Sequence, residues 1–213
     1  MCEHIYLTEA SFCRQRAGCV SCDTIVDVTH VPESVNKIVP VLYVMVGLPA
    51  SGKTTRAKEL EEERRTLRLT PEEWMIPLFD DNDANGKRNV LEGRFIWLAL
   101  RALRRGLDVV LDFGVWAKDE RTALRALAAE VGASCELVYL EIDEDEQRKR
   151  RDGRAANESE STFYITDEDL ADYRRRFIPL DDSELSGLEL DPPPTGFSSW
   201  SAWASEWWPT SIQ

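Results

Sequence analysis

Val41-Leu42-Tyr43-Val44-Met45-Val46-Gly47-Leu48-Pro49-Ala50-Ser51-Gly52-Lys53-Thr54-Thr55 is an apolar run that stops at a glycine and passes into a segment spaced G-x-x-x-x-G-K-T. The apolar run begins at Ile38, and an unbroken run of this kind reads as a strand buried on both faces. From Thr54 to about Leu67 the chain is rich in Glu, Arg, Lys and Leu and has no Gly or Pro, which predicts a helix. Strand, glycine loop and helix in this order make an anion cradle. The glycines let backbone N–H groups close around the anion, and the helix N-terminus adds its dipole. Context and spacing together predict a phosphate loop for ATP. Gly47, Pro49, Ala50, Ser51, Gly52, Lys53, Thr54 and Thr55 would surround the nucleotide. Lys53 would bridge the β- and γ-phosphates, and the Thr54 hydroxyl would ligate Mg²⁺.

Working outward, Leu67-Arg68-Leu69 reads as a short strand, and Thr70-Pro71-Glu72-Glu73 as a helix start with Thr70 as the N-cap. Asp80 to Gly86 is a polar loop, and Asn89 to Arg105 is a helix with Leu91, Phe95, Leu98 and Ala102 on one face. Asp108 to Asp112 is a second buried strand, Lys118 to Val131 an amphipathic helix, and Cys135 to Ile142 a third strand. Helices follow over Asp143 to Arg154 and Asp167 to Phe177, and Leu185 to Leu190 reads as a last strand. Alternation of strands and helices predicts an α/β fold, a three-layer P-loop sandwich with a central parallel sheet. The expected organisation is an irregular extension over 1–37, a kinase-like domain over 38–190 and a Pro/Trp-rich tail over 191–213. Trp200, Trp203, Trp207 and Trp208 make that tail too aromatic for a free linker. It is expected to pack on the domain, with a protein-contact surface as the alternative.

Three further groups of residues carry chemistry. Asp112 ends the second strong strand, and ligands of open parallel sheets lie beyond the strand ends. Its carboxylate would help hold Mg²⁺ or face the phosphoryl acceptor. Glu72, after the short strand, has two readings: a base for an attacking hydroxyl, or a first-turn carboxylate that complements the helix dipole. Arg148, Arg150, Arg151 and Arg154 form a cluster in which Arg150 and Arg154 share a helix face. Their position before the polar stretch Ala155 to Thr162 suggests a lid whose guanidinium groups steady the transferring phosphoryl group. Arg88 and Arg94 are weaker candidates for substrate contact. Trp74, Trp97 and Trp116 read as core or pocket wall.

With 26 basic and 39 acidic residues among 213, the net charge is −13. Such a surface argues against a general nucleic-acid binder. No apolar run is long enough to span a bilayer, and no signal-peptide pattern opens the chain, so the expected compartment is the cytoplasm. Cys2, Cys13, Cys19 and Cys22 crowd the first 22 residues. Cys19 and Cys22 have the spacing of half a zinc site, but the partner half is irregular. His4 and His30 are the two histidines, and both precede the first strand, which leaves little room for a His-based triad.

The segments Val46 to Thr55, Leu69-Thr70-Pro71-Glu72-Glu73-Trp74-Met75, Val109 to Trp116 and Glu120-Arg121 together resemble the small bacterial P-loop kinase-like proteins labelled "AAA family ATPase" or "ATP-binding protein". That group is similar to the kinase domain of phage polynucleotide kinase, to chloramphenicol phosphotransferase and to zeta toxins. The resemblance covers about residues 40 to 190 and implies a kinase-like sheet with an arginine-bearing lid. It also implies that the acidic residue after the second strand is the base. The group usually has Asp there, and this chain has Glu72. A ring motor is not expected, because the chain has no second Walker-type acidic pair and no additional sensor-like domain. The resulting expectation is ATP- and Mg²⁺-dependent γ-phosphoryl transfer to a small-molecule hydroxyl. Lys53, Glu72, Asp112, Arg150 and Arg154 would be catalytic, and Thr54 and Asp112 would hold the metal. The alternatives are a polynucleotide 5′-hydroxyl kinase, a nucleotide-gated binding module with slow hydrolysis, and a toxin-like sugar-nucleotide kinase.

Overall fold

Burial of the first strand on both faces decides the layering. In β1 (Val41–Val46), Leu42, Val44 and Val46 face one apolar cluster, and Tyr43 and Met45 face another. Strand side chains alternate between faces, so a strand covered on both sides has no polar positions to offer. That accounts for the continuous apolar run. The computed structural model describes residues 39–81, 84–157, 165–187 and 190–212. The four leader cysteines, His4, His30 and the expected zinc half-site lie outside the described residues.

β1 leads through the loop into α1 (Lys53–Arg64), then β2 (Leu67–Leu69), α2 (Pro71–Phe79) and α3 (Lys87–Leu103). β3 (Val109–Leu111), α4 (Lys118–Glu130), β4 (Ser134–Tyr139), α5 (Glu144–Asn157) and α6 (Asp167–Arg176) follow. The described chain ends with α7 (Asp182–Ser186) and α8 (Trp200–Trp207). The sheet is parallel in the order β2-β3-β1-β4. α1 contributes Ala57 and Leu60 to the smaller core on one face. α3, α4 and α8 contribute Phe95, Leu124 and Trp203, among others, to the larger core on the opposite face. No helix among the described residues is long and apolar enough to cross a membrane.

One expected strand is a helix instead. Leu185 and Ser186, within the stretch Leu185 to Leu190, belong to α7. Asp181 caps α7 by accepting from the Glu184 N–H, and Gly187 ends it in the left-handed region at φ 68°. Glu184 is drawn inward by a fully buried Arg121, which meets it through two bonds of 2.6 and 2.8 Å. Cap, terminator and ion pair account for the helical turn where a strand was expected.

The Trp-rich tail packs on the domain. Trp200, Trp203 and Trp208 are buried in the larger core, and Trp207 stacks on Trp203 with ring centroids 5.3 Å apart. Trp207 also donates its indole N–H to Glu120 at 3.0 Å. Further on, Thr210 donates to the Val90 carbonyl at 3.1 Å. A Cβ added at Gly93 would lie 2.2 Å from the Pro209 carbonyl, so α3 admits the tail only because position 93 has no side chain.

Candidate active site

The loop after β1 is tight and glycine-dependent. Gly47 has φ 150°, and a Cβ there would lie 2.6 Å from the Leu140 carbonyl and 2.7 Å from Ser51 Oγ. Gly52, at φ 99°, is the N-cap of α1 and brings no capping side chain, and the first turn of α1 contains no acidic residue. The amides that open α1 are therefore not claimed by a cap, as an anion site requires. Ser51 Oγ is buried and has no hydrogen-bond partner. The donor set thus fits a bound nucleotide phosphate. Lys53 Nζ donates to the Leu48 carbonyl at 2.9 Å, inside the loop. Burial pulls the Lys53 pKa down to about 8, and the nearby carboxylates of Asp112 and Glu72 oppose that shift.

Asp112 sits beside this loop because its own N–H continues the β2–β3 ladder by donating to the Leu69 carbonyl at 2.9 Å. The residue is 2 % exposed. It accepts from Thr54 Oγ1 at 3.5 Å and from Thr70 Oγ1 at 3.1 Å. Burial raises its pKa, and the two threonine hydroxyls lower it. Thr54 and Asp112 therefore adjoin each other where a loop-bound Mg²⁺ would need oxygen ligands. Thr70 stands at the N-cap position of α2, but its hydroxyl makes no cap bond. That hydroxyl serves Asp112 and also accepts from Arg68. Glu73, three residues after the N-cap, binds Arg68 at 2.8 Å.

Glu72 projects from the first turn of α2 and accepts from Arg88 Nη2 at 2.7 Å. The Nε of the same guanidinium binds Glu92 at 3.0 Å. Burial pushes the Glu92 pKa up to about 7 against the lowering effect of Arg88. Arg94 lies over the Trp97 ring, 4.0 Å from its centroid.

From the other side, α5 reaches over the loop. Arg150 Nη1 donates to the Ser51 carbonyl at 3.3 Å while its Nε binds Glu146 at 2.7 Å. Arg154 lies close enough for its charge to lower the Lys53 pKa. Arg148 and Arg151 instead pair with Asp167 at the start of α6. Sequence reasoning missed Gln147. It is fully buried and donates to the Pro49 carbonyl at 2.9 Å, so it pins the loop from α5. Its signal was in plain view: Gln147 is the one uncharged side chain in the run from Asp143 to Asp152. Glu92 and Arg68 were missed as well, since nothing local distinguishes them from surface charges.

This loop, the parallel sheet and its flanking helices define a P-loop kinase-like fold. Residues 42–180 match the family AAA_33, described as an AAA domain, and the chain belongs to that family. Family and fold make it an ATP-dependent enzyme of the kinase or ATPase class. Among solved structures, it is similar to a protein from Chloroflexus aurantiacus j-10-fl provisionally described as a kinase. That match has 19% identity and a TM-score of 0.53, over 74% of this chain and 81% of that one. Kti12 from Chaetomium thermophilum, solved with ADP-AlF3, matches at 20% identity and TM-score 0.51 over 67% of this chain and 82% of that one. A chain of the Pnkp1/Rnl/Hen1 RNA repair complex matches at 19% and 0.51 over 76% of this chain and 50% of that one. At these identities the likeness is one of fold. No curated protein matches the sequence.

Proposed function

We propose that the protein transfers the γ-phosphoryl group of ATP to a hydroxyl of a small molecule, with Mg²⁺ as cofactor, in the cytoplasm. The observation that carries the reading is geometric. The uncapped start of α1 and Lys53, which donates to the Leu48 carbonyl at 2.9 Å, form a phosphate cradle. Thr54 meets Asp112 beside it at 3.5 Å, and Arg150 reaches the Ser51 carbonyl at 3.3 Å. This neighbourhood supports phosphoryl transfer, which depends on positioning and charge stabilisation.

In this reading Gly47, Pro49, Ala50, Ser51, Gly52, Thr54 and Thr55 form the loop around the phosphates, and Lys53 leaves the Leu48 carbonyl to bridge the β- and γ-phosphates. Thr54 and Asp112 would hold Mg²⁺, which would supply charge neutralisation at the phosphates. Glu72 accepts the proton of the attacking hydroxyl, with Asp112 as the other candidate base. The hydroxyl oxygen bonds to the γ-phosphorus, the bond to the β–γ bridging oxygen breaks, and ADP leaves. Arg150 and Arg154 offset charge on the transferring group. The deciding experiment is transfer of label from γ-labelled ATP to a panel of hydroxyl compounds. Label on an acceptor, dependent on Mg²⁺ and lost in Glu72→Gln or Asp112→Asn, supports the reading. Release of inorganic phosphate alone, unaffected by every acceptor, contradicts it.

A further inference from the structure

The acceptor side of the site has a charge pattern of its own. Arg88 is held between Glu72 and Glu92. Arg68, 9 % exposed, is held by Glu61 at 2.7 Å and Glu73 at 2.8 Å, with Asp112 at 3.8 Å. The Lys87 ammonium rests 4.8 Å from the Phe79 ring centroid, and Arg94 covers Trp97. Each of these four cations, on β2 and α3, already faces a carboxylate or an aromatic ring. A phosphate-rich acceptor would have to displace carboxylates to reach Arg68 or Arg88.

Apolar surface is what this wall offers instead. α2 leaves Trp74 45 %, Ile76 37 %, Leu78 58 % and Phe79 39 % exposed. Only Pro71 and Met75 of the helix are buried. Glu72, Ile76 and Phe79 are spaced i, i+4 and i+7, so they share one face of the helix. At 1.5 Å per residue, Ile76 and Phe79 lie about 6 and ~10 Å along the axis from Glu72. That spacing would let a small acceptor meet Glu72 with its hydroxyl and lie against Ile76 and Phe79 with its body.

We propose that the Glu72–Ile76–Phe79 face of α2, flanked by the first turn of α3, is the acceptor subsite, and that the acceptor is an uncharged hydroxyl compound carrying an aryl or alkyl body. This rests on the reading of Glu72 as the base and narrows the substrate class within it. A polynucleotide fits neither the carboxylate-paired Arg68 and Arg88 nor the apolar wall.

The test uses matched acceptors with γ-labelled ATP: glycerol against 3-phenoxypropane-1,2-diol, glucose against phenyl glucoside, and a 5′-hydroxyl oligonucleotide. The expected result is at least a tenfold higher kcat/KM for each aryl member, arising from KM and lost in Phe79→Asn and Ile76→Asn. Calorimetric ATP affinity of the variants serves as the control for folding. Equal use of both members of each pair, or preference for the oligonucleotide, overturns the proposal. So does a dimer in sedimentation that Phe79→Asn dissolves, since a second copy would then be the occupant. Saturation-transfer NMR with 3-phenoxypropane-1,2-diol separates this idea from the reading beneath it. Contact that disappears in Phe79→Asn supports the subsite even if no acceptor is labelled, in which case the kinase reading alone fails. No contact in the wild type overturns the subsite.

Discussion

Lys53 and Glu92 show how burial sets chemistry one residue at a time. Burial brings Lys53 down to about 8 in the free protein, whereas a bound phosphate favours its charged form. ATP affinity should therefore be full below pH 8 and fall as pH rises above it, approaching tenfold per unit. Calorimetric titrations between pH 6.5 and 9.5 check this, and a flat profile would argue that Lys53 does not meet the phosphates. Glu92 has the opposite sign. It stays protonated in the folded chain up to about 7, whereas its ordinary value is 4.5. Between those values the folded state binds the extra proton, so this residue's contribution to stability declines as pH rises from 4.5 to 7 and then levels off. Glu92→Gln should remove that decline. Urea midpoints of both proteins at pH 5 and pH 7.5 would show it.

At the scale of elements, the phosphate loop is held between α1 and α5, and Gln147 is the fixing point on α5. Gln147→Ala should leave the half-buried Pro49 carbonyl without its donor, at a cost of about 0.5–1.5 kcal/mol. Nucleotide affinity should fall with it, while Gln147→Glu should not restore the bond because a carboxylate cannot donate. Melting temperatures and ATP titrations of both variants measure this. How far the elements could be read from sequence depended on the distance over which each is specified. β1 was legible because burial on both faces leaves an unbroken apolar run, and α4 because its apolar face repeats at helical spacing. α7 was not, because its position depends on Arg121, 63 residues away from Glu184. The same limit applies to the site. Lys53, Thr54 and Asp112 follow from motif and strand end, whereas Thr70 turns from its cap position to Asp112 across 42 residues. The Glu72–Arg88–Glu92 chain likewise joins two helices that no local pattern pairs.

For the molecule as a whole, the tail beyond the family match completes the core. Trp200, Trp203 and Trp208 are each 7 % exposed or less and pack with α4 residues in one cluster. Trp203→Ala should cost about 3–5 kcal/mol, and the loss should appear as an earlier single cooperative thermal transition rather than as a separate tail transition. A tail that melts by itself would contradict a shared core. The central claim is that the loop from Gly47 to Thr55 binds ATP for phosphoryl transfer. The measurement that tests it most directly is ATP·Mg²⁺ affinity and turnover of Lys53→Ala beside the wild type, with circular dichroism confirming the fold. The account predicts a folded variant that has lost nucleotide binding or turnover. A folded Lys53→Ala variant that binds and turns over ATP normally would contradict it.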